Sequence, residues 1–240
     1  MSEIEKLKKE IKFDAKDFGG FGIKSVAILK AFQDIALEHA NLLKIGIEDI
    51  KQKDLLWVAL KIKFEIVKQP KPDEVLTIET YPSATNMMEY FREYMIFDKS
   101  GNLLVKGVSK WCMISRTTRH ISLMTKLFPL STNQNTLFEG RLFKMEVFEP
   151  EFLADYTYQI LPCDIDSNNH VNNTVYAKII DNMLALEHHN LKHFEIDFLK
   201  ETFLGQRLDM FKKRENNQLK IIGKICEDKP NFNVLLEFEN

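Results

Sequence analysis

The chain is 240 residues long, 45% hydrophobic and 28% charged, the balance of a soluble globular protein with room for one large domain or two of ordinary size. A formal net charge of −2 leaves no global field to recruit nucleic acid or an anionic membrane, and no apolar run reaches the length of a membrane-spanning helix. Three cysteines, Cys112, Cys163 and Cys226, form no C-x-x-C pair and leave an odd count, which predicts thiols in a reducing cytosol rather than a disulfide framework or a zinc site.

Met1 to Lys9 is charged and has no apolar h-region, so no secretory signal is expected, and a cytoplasmic location is the expectation. Residues 1–10 read as a mobile or weakly helical lead-in, and Glu10 to Asp14 as a short strand. Asp17-Phe18-Gly19-Gly20-Phe21-Gly22 reads as a loop. Ser25 then caps a helix to about Leu43, with Val26, Leu29, Phe32, Ile35, Ala36 and Leu42 on one face. Leu55 to Val67 contains the alternation Val58-Ala59-Leu60-Lys61-Ile62-Lys63-Phe64-Glu65-Ile66, a half-buried strand that Pro70 and Pro72 end. Strands follow over Val75 to Tyr81, Met88 to Phe97 and Leu103 to Ser115, the last two joined by the turn Asp98 to Asn102.

Residues 116–155 show no strong period and read as a connection between two domains. After it the same order returns: a strand over Tyr156 to Leu161, a polar loop, and a helix over Thr174 to Leu186. Strands then span Phe194 to Leu204, Leu208 to Arg214, Leu219 to Ile225 and Val234 to Phe238. A long helix followed by bent antiparallel strands, occurring twice, is an internal repeat of the hotdog pattern. Laying the two loop–helix units together puts Asp17 on Asp166, Gly19 on Asn168 and Phe21 on His170, so the Asn and His at these positions are confined to the second half.

That second loop is the densest polar stretch in the chain. Asp164-Ile165-Asp166-Ser167-Asn168-Asn169-His170-Val171-Asn172-Asn173 precedes a helix whose buried face is Val175, Ile179, Ile180, Met183 and Leu184. Asn and Asp are ordinary turn and cap residues, and either Asn172 or Asn173 suits the N-cap. The loop also delivers an imidazole that exchanges protons near neutrality to the positive end of a helix dipole, where an oxyanion is stabilised. Asn168 could donate to such an oxyanion, as could backbone N–H groups near Asn172. Asp166 could fix the loop, orient His170 or hold a water. Cys163 reads as a core thiol, and His188-His189 as a helix-end dipole partner and a solvated residue.

Asp166-x-Asn168-x-His170-Val171-Asn172-Asn173, with the aromatic-apolar helix after it, resembles the signature of the fatty acyl-ACP thioesterases. The resemblance covers nearly the whole chain in order of elements, but only the 164–184 region in close sequence. It implies an α+β fold of two tandem hotdog domains, each a long helix wrapped by a bent antiparallel sheet. Residues 1–125 would form the N-terminal domain shaping the acyl pocket, 126–155 the linker, and 156–240 the catalytic domain. It also implies hydrolysis of an acyl-[acyl-carrier-protein] thioester to free fatty acid, with Asp166, Asn168 and His170 at the site.

Phe198-Leu199-Lys200-Glu201-Thr202 is similar to the aromatic-x-x-Glu-Cys segment of plant members, which carries a catalytic role to Glu201. Thr202 stands where those members have Cys, and a Thr hydroxyl without a strong base is a poor nucleophile. Direct attack by a water activated through Glu201 or His170 is therefore expected, with no covalent acyl-enzyme. Asp197 and Glu195, on the same expected strand, are weaker candidates. Plant members carry chloroplast transit peptides, and nothing here looks like one.

The acyl chain is expected against the 25–43 helix and the Leu55 to Val67 and Met88 to Phe97 strands. The expected partner is an acidic acyl carrier protein, with Arg116, Arg119, Lys212, Lys213 and Arg214 as candidate docking cations. No metal, cofactor, nucleic acid or membrane insertion is expected, and both a monomer and a homodimer are feasible. An acyl-CoA thioesterase, a non-catalytic acyl-thioester-binding protein and a dehydratase on the same fold are the alternatives.

Overall fold

Alternation of apolar and polar residues in the sequence becomes strand almost everywhere it occurs. The computed structural model describes residues 5–83, 88–123, 135–139, 142–150, 153–166, 168–185, 189–226 and 229–239. In chain order its elements are β1 (Leu7–Ile11), β2 (Phe18–Gly19), β3 (Gly22–Ile23), α1 (Ser25–Leu42), α2 (Ile47–Lys51), β4 (Leu55–Ile66), β5 (Leu76–Pro82), β6 (Tyr90–Phe97), β7 (Leu103–Ser115) and β8 (Ile121–Ser122). After these come β9 (Tyr156–Gln159), α3 (Asn173–Met183), β10 (Leu191–Phe198), β11 (Arg207–Glu215), β12 (Gln218–Lys224) and β13 (Phe232–Phe238). They fall into two compact units, Met1–Asp14 with Lys30–Leu142, and Ala15–Leu29 with Phe143–Asn240.

In the first unit the antiparallel strand order is β1-β5-β6-β7-β4, with β8 on β7. The long pair β4 and β7 runs in register from Leu55↔Ser115 to Ile66↔Val105, with a bulge between Ala59 and Lys61. The α1 stripe packs on this sheet through Phe32, which stacks on Tyr94 at 4.2 Å and meets Phe64 edge-on at 6.4 Å. A Cβ on Gly107 would come within 2.3 Å of the Phe32 ring, so the missing side chain makes room for that ring. The stripe then continues through His39, while Leu42, expected on the buried face, is 53% exposed. Buried Arg92 donates to His39 Nδ1 at 2.8 Å, to Thr80 Oγ1 at 3.3 Å and to the Tyr90 hydroxyl at 3.3 Å, so this layer is not purely apolar.

Two further departures from expectation belong to this unit. The lead-in becomes strand from Leu7, because β1 finds a partner in β5 from Leu7↔Thr80 to Ile11↔Leu76, and Lys6 and Lys8 pair with the buried Glu79. The helix α2 was not expected: its five residues are short for a periodic signal, and its Ile50 packs with Ile45, Leu55, Tyr90 and Met113. Part of the expected linker, residues 126–134, 140–141 and 151–152, lies outside the described residues.

In the second unit the order is β10-β13-β12-β11-β9, antiparallel throughout. Tyr176 of α3 packs its ring edge-on against Phe198 and Phe232, with centroids 5.7 and 5.1 Å away. Gly223 makes room for Phe232 as Gly107 does for Phe32, since a Cβ there would lie 2.1 Å from the ring. Ser25 is the first residue of α1 rather than its cap. The orphan N–H groups of Ser25 and Val26 are instead bound by the two carboxylate oxygens of Asp181, at 3.0 and 2.9 Å. Burial pushes that carboxyl up to about 6, against the opposing pull of these two bonds.

The strand expected over Phe194 to Leu204 is displaced: β10 starts at Leu191 and stops at Phe198. Its partner β13 begins at Phe232, opposite Phe198, so no ladder exists beyond that point. The N–H groups of Leu199 and Lys200 turn instead to the Asn231 carbonyl, at 2.8 and 3.0 Å.

Candidate active site

Local chemistry folds the polar loop before α3. An isolated bridge between Ile165 and Val171 closes its base. Within it, the Asp166 N–H donates to the His170 carbonyl at 2.8 Å, and the Asn169 N–H to the Asp166 carbonyl at 3.1 Å. Asn169 has φ +65°, a left-handed conformation that Asn tolerates better than most residues. One oxygen of Asp166, Oδ1, accepts the backbone N–H of Asn168 at 2.8 Å and of His170 at 3.4 Å. Of the three roles open to Asp166, these bonds support bracing the loop.

The loop is anchored below by Asp164, which is 1% exposed. Its carboxylate accepts the Tyr158 hydroxyl at 3.0 Å, the Leu161 N–H at 3.0 Å and the Lys178 ammonium at 3.3 Å. The Asp164 carbonyl takes the N–H of Asn172 at 2.9 Å, so that N–H, expected at the oxyanion, is occupied. Asn172 is the N-cap of α3, its Oδ1 accepting the Thr174 N–H and the Thr174 hydroxyl, both at 2.9 Å.

Glu201 lies on the irregular segment after β10, not on a strand. His170 Nε2 is 3.3 Å from Glu201 Oε2, with the side chains 20% and 37% exposed, so the pair is open to a substrate. The Phe203 ring meets the imidazole at 5.1 Å and an interplanar angle of 61°. The two catalytic candidates are tied through their following residues, since the Val171 N–H donates to the Thr202 carbonyl at 2.9 Å. The structure thus brings Asp166, His170 and Glu201 together and sets Asn168, half-buried, on the same turn.

Other candidates are engaged elsewhere. Thr202 is fully buried. Asp197 accepts the Met145 N–H at 2.6 Å, and Glu195 pairs with His193 at 3.4 Å. Cys163 is exposed, not a core thiol, and its Sγ lies 3.9 Å from Asp164 Oδ1, because the short 3-10 turn Pro162–Asp164 buries the aspartate and turns the cysteine outward. Among the proposed docking cations, Lys213 pairs with Glu215 and Arg214 lies over the Phe238 ring. His188 lies outside the described residues. Among the described residues, no group of three His, Cys, Asp or Glu could hold a metal ion, and no helix is long and apolar enough to cross a membrane.

Asn231 is a site residue that the sequence does not single out. Its side-chain amide donates to the Glu201 carbonyl at 3.1 Å and to Thr202 Oγ1 at 3.2 Å. Only the residue type, a carboxamide at a strand start, hinted at it.

The model of the acyl-ACP thioesterase N-terminal domain matches residues 5–128, and that of the C-terminal domain matches residues 150–235. A chloroplastic acyl-[acyl-carrier-protein] hydrolase of Cuphea viscosissima is 26% identical over 165 residues, covering 62% of this chain and 39% of that protein. A chloroplastic palmitoyl-acyl carrier protein thioesterase of Arabidopsis thaliana is 24% identical over 192 residues, covering 72% of this chain and 46% of that protein. The chain thus spans about half the length, or less, of these curated relatives.

Among solved structures, an acyl-ACP thioesterase from Bacteroides thetaiotaomicron superposes with TM-score 0.89 at 19% identity, covering all of both chains. A 12:0-ACP thioesterase from Umbellularia californica superposes with TM-score 0.83 at 17% identity, covering 100% of this chain and 98% of that one. The fold is therefore α+β, two tandem hotdog domains, each a helix set against an antiparallel sheet. With both domain models matched in order along most of its length, the chain belongs to the acyl-ACP thioesterase family.

Proposed function

We propose that this chain hydrolyses the thioester of an acyl-[acyl-carrier-protein], releasing free fatty acid and the carrier thiol. The observation that carries the reading is the His170–Glu201 pair, 3.3 Å apart and partly open, beside a loop braced by Asp166. A water held against the pair gives up a proton to it as its oxygen attacks the thioester carbonyl. The tetrahedral oxyanion is met by the Asn168 amide and by the N–H of Asn173, which as the first helical residue has no acceptor within its own helix. Collapse breaks the C–S bond, and the leaving thiolate takes the proton back from the pair. The sum is thioester plus water giving acid plus thiol, with no covalent enzyme intermediate.

Burial of Thr202 and the engagement of its hydroxyl support water rather than Thr202 as the nucleophile. The first unit would shape the acyl pocket, and acidic carrier would meet basic surface near the second. Three free thiols support a reducing, cytoplasmic location.

Thiol release from matched acyl-ACP and acyl-CoA panels tests the reading, with His170→Ala and Glu201→Gln beside the wild type. Turnover of acyl-ACP, with each variant slower by about 10²–10⁴, is expected. Faster turnover of the CoA series would move the substrate to acyl-CoA. Absence of thiol release from any thioester would defeat the proposal, and tight thioester binding without release would make the chain a binding protein. Release of enoyl-thioester instead would make it a dehydratase.

A further inference from the structure

The two catalytic candidates sit on different segments, and nothing in either segment's own sequence fixes the 3.3 Å between His170 and Glu201. What joins them is the residue after each: the Val171 N–H binds the Thr202 carbonyl. The Thr202 side chain, fully buried, is in turn held by Asn231, whose amide donates to its Oγ1 at 3.2 Å. Asn231, 3% exposed, uses its carbonyl for Leu199 and Lys200 and its amide for Glu201 and Thr202, so it holds four successive residues of the segment. Tyr176 of α3 is seated against Phe198 and Phe232, on the strands that flank this segment.

We infer that Thr202 and Asn231 are positioning residues, a buried Asn231–Thr202 hydrogen-bond relay that sets Glu201 against His170 without touching substrate. The inference rests on the thioesterase reading for its kinetic consequences but not for its geometry. A threonine serves here because its hydroxyl accepts the Asn231 amide in a site closed to solvent, where an unpaired donor is costly.

Thr202→Val keeps the side-chain shape and removes the bond to Asn231. It is expected to lower kcat on acyl-ACP by about 10- to 100-fold while KM stays within about twofold, because misplacing a catalytic group costs rate rather than binding. Thr202→Ser, which keeps the hydroxyl, is expected to stay near wild type. On a Glu201→Gln background Thr202→Val is expected to cost nothing further, since it acts through that carboxylate. Thr202→Cys, the milder variant should Thr202→Val not fold, keeps a weak hydrogen-bonding group and is expected to lower kcat about threefold.

Wild-type kcat in Thr202→Val, or the same fold-loss on the Glu201→Gln background, would overturn the inference while leaving the proposed function standing. Should the wild type turn over no thioester, hydrogen exchange at the Val171 amide decides the relay alone. Exchange at least about tenfold faster in Thr202→Val, with the Ile179 amide of α3 unchanged, supports it, and unchanged exchange at Val171 overturns it.

Discussion

Asp181 offers a stability test whose sign is opposite to ordinary acid denaturation. Its two oxygens bind the N–H groups of Ser25 and Val26, and burial raises its pKa from 3.8 to about 6. Between those values the folded state binds more protons than the unfolded chain, so this group's contribution to stability grows as pH falls through about 6 and is lost as pH rises above it. Linkage puts the gain between about pH 7.5 and about pH 4.5 at about 2 kcal/mol. Asp98 and Glu215 work the other way: hydrogen bonds from Asn102 and Lys213 hold them below their usual range, so their stabilisation is lost in acid.

Asp181→Asn leaves those groups unchanged and removes the titration. It also turns an amide NH₂ toward one of the two backbone donors, a cost of about 1–3 kcal/mol that does not depend on pH. Urea unfolding of wild type and variant across that range should therefore give a stability difference that widens by about 2 kcal/mol toward the acid end. A difference that is the same at every pH would show that Asp181 does not titrate from a buried cap, and would refute the reasoning.

Other outcomes follow from single contacts. His170→Ala and Glu201→Gln should be non-additive, the double variant being about as slow as the worse single one, because the two act as a pair; independent multiplication of the losses in kcat would argue for separate roles. Gly223→Ala forces a Cβ to 2.1 Å from the Phe232 ring, and Gly107→Ala one to 2.3 Å from Phe32. Each should lower unfolding stability by about 1–3 kcal/mol by overpacking, and an unchanged denaturation midpoint would count against the packing described. Asp164→Ala strands the Tyr158 hydroxyl and the Leu161 N–H, and should lower stability by about 3 kcal/mol in the same assay while also slowing turnover. If the carrier docks through charge, kcat/KM on acyl-ACP should fall with added salt while kcat on a small acyl thioester does not, and salt-insensitive turnover on acyl-ACP would remove electrostatic docking.

The strands were legible wherever alternation is local. The Val58 to Ile66 pattern became β4, and the helical spacing of Val175, Ile179 and Ile180 became the buried face of α3. The polar loop was legible for a similar reason: its turn, its brace and its cap are bonds between residues two to four apart, so Asp166, Asn168, His170 and Asn172 carry their own geometry. Glu201 could be named but not placed on its element, because β10 ends where its partner strand begins, and that register is not written in the segment itself.

The sequence by itself determined the order of the long strands, the helices α1 and α3 and the polar loop, since each depends on neighbours within a turn or a strand. Only the tertiary structure decided that Leu7–Ile11 is a strand, that Asp181 caps a helix beginning 156 residues earlier, and that Asn231 steadies Glu201 from 30 residues away. Those bonds form between groups whose separation along the chain carries no period, so the residue types permit them but only the folded backbone brings donor and acceptor within reach.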